Sequence, residues 1–267
     1  MAETLIDLQG ASKRFGDKPA VCDVTLQIPA GQLFACLGPN GAGKTTIIKM
    51  LTGLLRPSGG KVMVAGSDMS DNRAENRRPL SYVPDEPYLY EKLTGREFLE
   101  FTRDIYGMPL EASERWIDEL ISILEVADYV DELSETYSHG MRQRIVFAAA
   151  LLHRPRVLIV DEPMVGLDPK SVRIVKDLLR TIADRGCTIF MATHTLSVAE
   201  ELADRIGILN QGRLTHCGTL DELRQDLQSE GTTLEDLFLE ATASATHTDA
   251  GGGTPPTNSH TGKAPQQ

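Results

Sequence analysis

The sequence predicts an α/β fold: a core with a mostly parallel sheet, an N-terminal antiparallel β subdomain and an inserted α-helical subdomain. Three observations predict it. Residues 1 to 36 open with stretches that alternate apolar and polar side chains, three further stretches are continuous apolar runs, and residues 91 to 135 switch to helical spacing. In order, "TLIDLQGASKRF" (4 to 15) and "AVCDVTLQI" (20 to 28) read as short strands of a half-buried antiparallel sheet, punctuated by Pro29-Ala30-Gly31. "QLFACLG" (32 to 38), "RVLIVDEP" (156 to 163) and "CTIFMATH" (187 to 194) read as central parallel strands, apolar on both faces with polar residues at their carboxyl ends. "REFLEFTRDIYG" and "SERWIDELISILEV" place apolar residues at helical spacing, and "RIGILNQGRLTHCG" (205 to 218) reads as a closing hairpin around Asn210-Gln211-Gly212.

A chain of 267 residues, 41% hydrophobic, can bury a full core without disulfide staples. Its net charge of -11, from 27 basic and 38 acidic side chains, leaves no basic stripe for a phosphate backbone, so no nucleic-acid partner is expected. Thirteen acids against four bases fall within residues 91 to 135. They are either a solvated helical face or a docking surface for a basic loop of a partner. Cys22, Cys36, Cys187 and Cys217 stand singly among apolar residues and read as buried reduced thiols of a cytoplasmic protein. No signal peptide and no apolar run of membrane-spanning length is visible. Residues 241–267, rich in Gly, Pro, Thr and Ser, are expected to be a disordered tail, with His247 and His260 as bystanders.

"GPNGAGKTT" (38 to 46) follows an apolar strand and precedes the helical pattern "IIKMLTGLL", the context that a P-loop requires. Gly38, Gly41 and Gly43 let backbone N–H groups curl around phosphate oxygens, and the following helix adds the partial positive charge of its N-terminus. Lys44 reaches the β and γ phosphates and the Thr45 hydroxyl ligates Mg²⁺. The parallel core is therefore a P-loop NTPase core. In "VLIVDEP", four apolar residues deliver Asp161 to the mouth of the sheet, where it can hold the Mg²⁺ shell. Glu162 follows, placed to polarise an attacking water as general base.

In "YSHGMRQR" (137 to 144), Ser138 and His139 are chain neighbours, whereas a nucleophile and its base must converge from different parts of a fold, and no G-x-S-x-G elbow surrounds the serine. The stretch leads instead into the helical pattern "MRQRIVFAAALL" and presents N–H groups and a hydroxyl at a helix N-terminus. It is a second anion-binding end with no anion of its own.

With these motifs in this order, residues 3 to 240 resemble the ATP-binding-cassette family, and a single ATPase domain over 1-240 with the helical subdomain inserted at about 91-150 is expected. The resemblance implies that Phe15 in "KRFG" stacks on adenine and that Gly38, Pro39, Asn40, Gly41, Ala42, Gly43, Lys44, Thr45 and Thr46 form Walker A. It implies that "YVPDEP" is the Q-loop, that Ser138 and Gly140 belong to the signature, and that Asp161 and Glu162 form Walker B. "GLDP" (166 to 169) is the D-loop and His194 the switch histidine. Cassettes of this family dimerise head to tail, so the signature of one copy meets the γ-phosphate held by the other, which accounts for the empty anion end. Two positions depart from the pattern: His139 replaces a glycine and Asp85 replaces the Q-loop glutamine. Met141 and Met164 read as packing residues.

The resemblance implies an ATP- and Mg²⁺-dependent subunit that works as a dimer on separately encoded transmembrane permease subunits, at the inner face of the membrane. "PDEPYLYEKLTGREFL" and "TLEDLFLEAT" look most like cassettes of the ABC-2 type, many of them exporters. Two rivals are an ABC protein that acts without a transporter, as a mechanical clamp, and a small-molecule P-loop kinase. The single cassette and the lack of sustained heptads count against the first; the lack of anything like an acceptor pocket counts against the second.

Aspartate is about 1.5 Å shorter in reach than glutamine, and its charge favours a hard cation. Asp85→Ala is thus expected to raise the Mg²⁺ concentration needed for half-maximal ATPase, with Asp85→Gln remaining active. A magnesium titration of Asp85→Ala that superimposes on wild type would remove the residue from the metal shell.

Overall fold

The computed structural model describes residues 3–71, 73–226 and 233–243. The alternating N-terminal segment makes two long strands rather than several short ones. β1 (Thr4–Phe15) and β2 (Lys18–Pro29) pair antiparallel, with Ile6 opposite Ile28 and Leu8 opposite Leu26. Register shifts break the pairing at intervals, which is why the sequence alternation is imperfect over twelve residues. β4 (Gly59–Val64) joins the other edge of β1, and β5 (Ser67–Asp68) completes the order β2-β1-β4-β5.

The three continuous apolar runs become β3 (Leu33–Leu37), β7 (Val157–Asp161) and β8 (Thr188–Thr193), in which every residue is buried. With β6 (Leu80–Val83) and β9 (Arg205–Asn210) they form a parallel sheet, and β10 (Arg213–Gly218) returns antiparallel as the expected hairpin. The order is β10-β9-β3-β8-β7-β6. β6 has only four residues and carries a buried serine, so hydropathy does not reveal it. The Ser81 hydroxyl is satisfied by donating to the Ala150 carbonyl at 2.6 Å.

α1 (Lys44–Leu51) lies between the two sheets. Its Ile47, Ile48 and Leu51 share one buried cluster with Val62 and Val64 of β4 and with Phe34 and Phe190, whose rings stack at 5.8 Å on the parallel sheet. The helical pattern in the sequence runs to residue 55, but the helix ends earlier, at Thr52, because Gly53 adopts φ +68° and turns the chain. The inserted helices are α2 (Gly95–Tyr106), α3 (Leu110–Ile123) and α4 (His139–Leu151). Thr94 and Glu97 close a capping box on α2. On the same side of the parallel sheet, α5 (Pro169–Asp184) and α6 (Leu196–Leu202) join the larger core cluster, followed by α7 (Leu220–Asp226) and α8 (Leu234–Ala243).

Met141 and Met164 pack as expected. Six of the thirteen acids within 91 to 135 form ion pairs within the chain, among them Asp118 and Asp131 with Arg96, which favours a solvated face. All four cysteines are free, but only Cys36 is fully buried; Cys22, Cys187 and Cys217 stay partly exposed, correcting the sequence reading. The expected boundary at residue 240 falls inside α8, and from residue 244 the expected tail lies outside the described residues.

Tyr137 fastens the segment that precedes α4. Its buried hydroxyl accepts from the Gly95 N–H at 3.0 Å and faces the Tyr129 and Glu132 carbonyls at 2.8 and 3.0 Å. Tyr137→Phe is expected to cost about 1–3 kcal/mol, the penalty for stranding buried polar groups. Urea unfolding followed by circular dichroism measures it, and an unchanged midpoint would show that the hydroxyl is dispensable.

Candidate active site

Four adjacent parallel strands, β3, β8, β7 and β6, end at the same edge, so the residues after each are brought side by side. After β3 the chain makes the 38–46 loop. Gly43 takes φ +111°, a conformation side chains disfavour, and a Cβ there would stand 2.6 Å from the Ala20 carbonyl oxygen. Gly38 is just as constrained, since a Cβ would meet the Leu209 carbonyl oxygen at 2.5 Å. The turn delivers the N-terminus of α1 with no side-chain cap, leaving first-turn N–H groups to point into the loop. Lys44 Nζ donates to the Gly38 carbonyl at 2.6 Å and lies 3.9 Å from Glu162 Oε1.

From β7 come two carboxylates with different surroundings. Asp161 is buried, and desolvation raises its pKa to about 6, reinforced by the negative charges of Asp85 and Glu162 and opposed by Lys44 and by a hydrogen bond from Thr45. Glu162 takes φ +46°, outside the usual range for its type, and its N–H donates to the Ala192 carbonyl of β8 at 2.9 Å. That bend turns its side chain to the last residue of β8 and the one after it. The Thr193 hydroxyl and the His194 N–H donate to Oε2 at 3.1 and 3.3 Å, and His194 Nδ1 stands 2.8 Å from Oε1. As the carboxylate only accepts, Nδ1 carries the hydrogen. Asp85 follows β6 by two residues, is exposed, and accepts from the Glu86 N–H at 3.0 Å.

These groups line a cleft of about 400 Å³ that runs from Phe15, Lys18 and Pro19 past Pro39, Asn40, Gly41, Gly43, Lys44, Thr45 and Thr46 to Asp85, Asp161 and Glu162. Phe15 is half exposed at its far end, with Lys13 Nζ 5.4 Å from the ring centre. Gly38 and Ala42 are buried in the loop and shape it from below. His194 lies on a neighbouring cleft with Asp85, Glu162, His139 and Arg142.

Ser138 and Gly140 are not brought to the phosphate loop. Ser138 caps α4, its hydroxyl accepting from the Met141 N–H at 3.3 Å, while Gly140 packs where a Cβ would stand 3.2 Å from Ser171 Oγ. His139 is the first residue of the helix and needs no positive φ. The helix end thus forms a second polar station within the same chain, apart from the first.

The sequence profile of the ABC transporter family matches residues 21–165, a little over half of the chain. The chain belongs to the ABC transporter family. This ATP-binding cassette is 38% identical over 241 residues to the daunorubicin resistance ATP-binding protein DrrA3 of Streptomyces coeruleorubidus, covering 90% of the cassette and 76% of that protein. It is 35% identical to the bacitracin transport ATP-binding protein BcrA of Bacillus licheniformis, covering 83% and 72%. An ABC transporter ATP-binding protein of Nostoc sp. is 42% identical, and the match spans only 59% of that protein's length. Among solved structures, an ATP-binding subunit of an ABC transporter superposes with a TM-score of 0.84 at 32% identity, covering 89% of the cassette and 99% of that chain. A dimeric ATP-binding cassette with ADP and Pi superposes with a TM-score of 0.74 at 25% identity, covering 81% and 99%. Among the described residues, no helix of the cassette is long and apolar enough to cross a membrane.

Two contacts escaped sequence reasoning. Thr193 holds Glu162, and its only signal was adjacency to His194. Lys18 and Pro19 line the cleft beside Phe15 because β1 and β2 turn there, which a linear sequence does not announce.

The fold favours the protonated form of Asp161. That contribution is complete below the ordinary carboxylate range, and it is lost as pH rises through about 6. Asp161→Asn is accordingly expected to stabilise the nucleotide-free cassette near pH 7.5 by about 1–3 kcal/mol, with little difference near pH 4. Thermal melts across that range test it, and parallel curves would show that burial does not burden the carboxylate.

Proposed function

We propose that the cassette hydrolyses ATP as a dimer and drives substrate export through separate permease subunits. One observation carries the reading: the Glu162 carboxylate is held by Thr193 and His194 at the mouth of the sheet and faces Lys44. A carboxylate with both oxygens restrained and one side open to a phosphate loop is built to take a proton from water.

In this reading the adenine stacks on Phe15, and the Gly41–Thr46 N–H groups with Lys44 hold the β and γ phosphates. Lys44 exchanges its Gly38 and Pro39 carbonyls for phosphate oxygens when nucleotide arrives. Thr45, Asp161 and Asp85 offer hard oxygen ligands of the kind Mg²⁺ selects, and a buried carboxylate with a raised pKa is one that an adjacent cation would relieve. Bound Mg²⁺ would supply positive charge against the phosphate oxygens. Among the described residues no three His, Cys, Asp or Glu side chains could hold a metal by themselves, so phosphate oxygens and waters would complete the shell. Glu162 accepts the water's proton. His194, whose Nδ1–H is committed to Glu162, can donate to the γ-phosphate from Nε2 only as imidazolium. The Ser138 end of α4, which does not line the phosphate-loop cleft of its own chain, serves the nucleotide of the partner.

Support for a membrane partner comes from the surface beside Asp85. Tyr88, Tyr90 and Phe101 are exposed and in ring contact, and Leu54 and Ile105 are exposed nearby, next to a groove of about 420 Å³ lined by Tyr82, Pro84 and Phe98. Exposed apolar surface of this kind marks an interface. The chain runs directly from Asp85 into it, so motion there reaches the site. The export reading rests on the resistance and transport proteins that the cassette resembles.

Glu162→Gln keeps the shape but cannot accept the proton. Hydrolysis is expected to fall by at least about 10²-fold, with ATP trapping a dimer visible by light scattering. Normal turnover in this variant would exclude Glu162 as the base.

A further inference from the structure

At the edge of the parallel sheet opposite the nucleotide cleft, a cavity of about 490 Å³ opens where α3 meets the ends of α4 and α5. Arg156 and Cys187 line it from the positions just before β7 and β8, so it lies at the entry ends of the two strands that lead to Asp161 and His194. Leu151 is buried in it and Ile182 half-buried; burial pushes the half-buried Cys187 thiol up to about 12, so the sulfur stays neutral. Three exposed arginines, Arg154, Arg156 and Arg185, line the same cavity against one acid, Glu119. On a chain of net charge -11 this is a local excess of positive charge. Arg156 pairs with Glu3 at 2.5 Å and Arg185 reaches Glu119 only at 4.0 Å, whereas Arg154 has no ion pair among the described residues. Its guanidinium carbon stands instead 4.7 Å from the ring centre of Trp116, whose Nε1 donates to the Leu151 carbonyl at 3.2 Å. Arg154 also takes φ +53°, so the chain accepts backbone strain at the residue that carries this guanidinium.

We propose that this cavity binds a small organic anion, its carboxylate or sulfonate held by the guanidinium groups of Arg154 and Arg185 and its apolar body resting against Trp116, Leu151 and Ile182. The volume falls in the range of about 300–1,000 Å³ that small-molecule sites occupy. A guanidinium presents its donors as a fork that matches two oxygens of one acid group, and over an indole ring it keeps those edge donors free. The exposed Arg185–Glu119 pair contributes little at 4.0 Å, so a ligand oxygen that comes closer displaces Glu119 at small cost. A cation would meet three positive charges here, and a bare inorganic anion would leave the apolar surface unused. The cavity shares no residue with the nucleotide cleft, and its occupant would touch α3 of the inserted helices and α5 of the core at once.

Trp116 is the single tryptophan of the chain, so its emission, excited where tyrosine does not absorb, reports on this cavity. Octanoate titrated into the full chain is expected to change that emission saturably, with one site per chain by calorimetry. Octanamide has the same length and no charge, and should bind at least about tenfold more weakly. Arg154→Gln and Arg185→Gln should each weaken octanoate binding by about tenfold. Glu119→Gln removes the competing acid and should tighten it several-fold, a shift in the direction that damage to the fold does not produce. Lys44→Ala should leave octanoate binding unchanged. A titration that never saturates, octanamide binding as tightly as octanoate, or an octanoate affinity untouched by both Arg185→Gln and Glu119→Gln overturns the proposal. Loss of binding in Lys44→Ala overturns it as well, because it moves the anion to the phosphate loop. Should Arg154→Gln fail to fold, Arg185→Gln and Glu119→Gln decide.

Discussion

Parallel pairing of β3, β8, β7 and β6 is the constraint on which the rest of this structure depends. Parallel neighbours cannot be joined by tight turns, so each needs a crossover that returns the chain to the opposite edge of the sheet. The result is that all four strands finish at one edge, and whatever follows them is concentrated there. The phosphate loop, Asp85, the Asp161–Glu162 pair and His194 come from positions scattered over more than 150 residues, yet the sheet alone makes them neighbours. The buried faces of β3, β7 and β8 hold that arrangement together, since parting the strands would expose continuous apolar runs to water.

On this scaffold the site is held in a state that is unfavourable on its own. Asp161 is a buried carboxylate among negative neighbours, and Glu162 occupies a backbone conformation that its residue type avoids. Both place carboxylate oxygen in the cleft beside the phosphate loop. The surrounding hydrogen bonds from Ala192, Thr193 and His194 keep Glu162 from relaxing away.

The two helix ends differ in how the chain presents them. α1 presents an uncapped N-terminus to its own loop, whereas α4 presents a serine-capped one across a cleft lined by His139, Arg142 and Asp85. Both attract anions by the same backbone physics. What distinguishes them is position: α1 is fixed between the two sheets, and α4 belongs to the inserted helices that also carry the exposed aromatic surface. A partner that moves those helices therefore moves the second end relative to the first.

Short-range information in the sequence determined the strand and helix types, the phosphate loop and the two acids, because glycine conformations, continuous apolar runs and helical periodicity are local properties of the chain. It also placed Ser138 at the start of a helix, since capping depends on a few adjacent residues. Tertiary structure alone decided the rest. β6 is too short and too polar to announce itself, and it exists because β7 offers it a partner. Thr193 and Val165 have no chemical signature in the sequence; they matter because the bend at Glu162 points its side chain at one and its carbonyl at the other. His139 likewise read as a departure from a family pattern, and only the approach of α4 to the turn after Glu162 reveals what the imidazole can reach. Contacts between residues far apart in the chain depend on the summed geometry of every element between them, which no single stretch of sequence encodes.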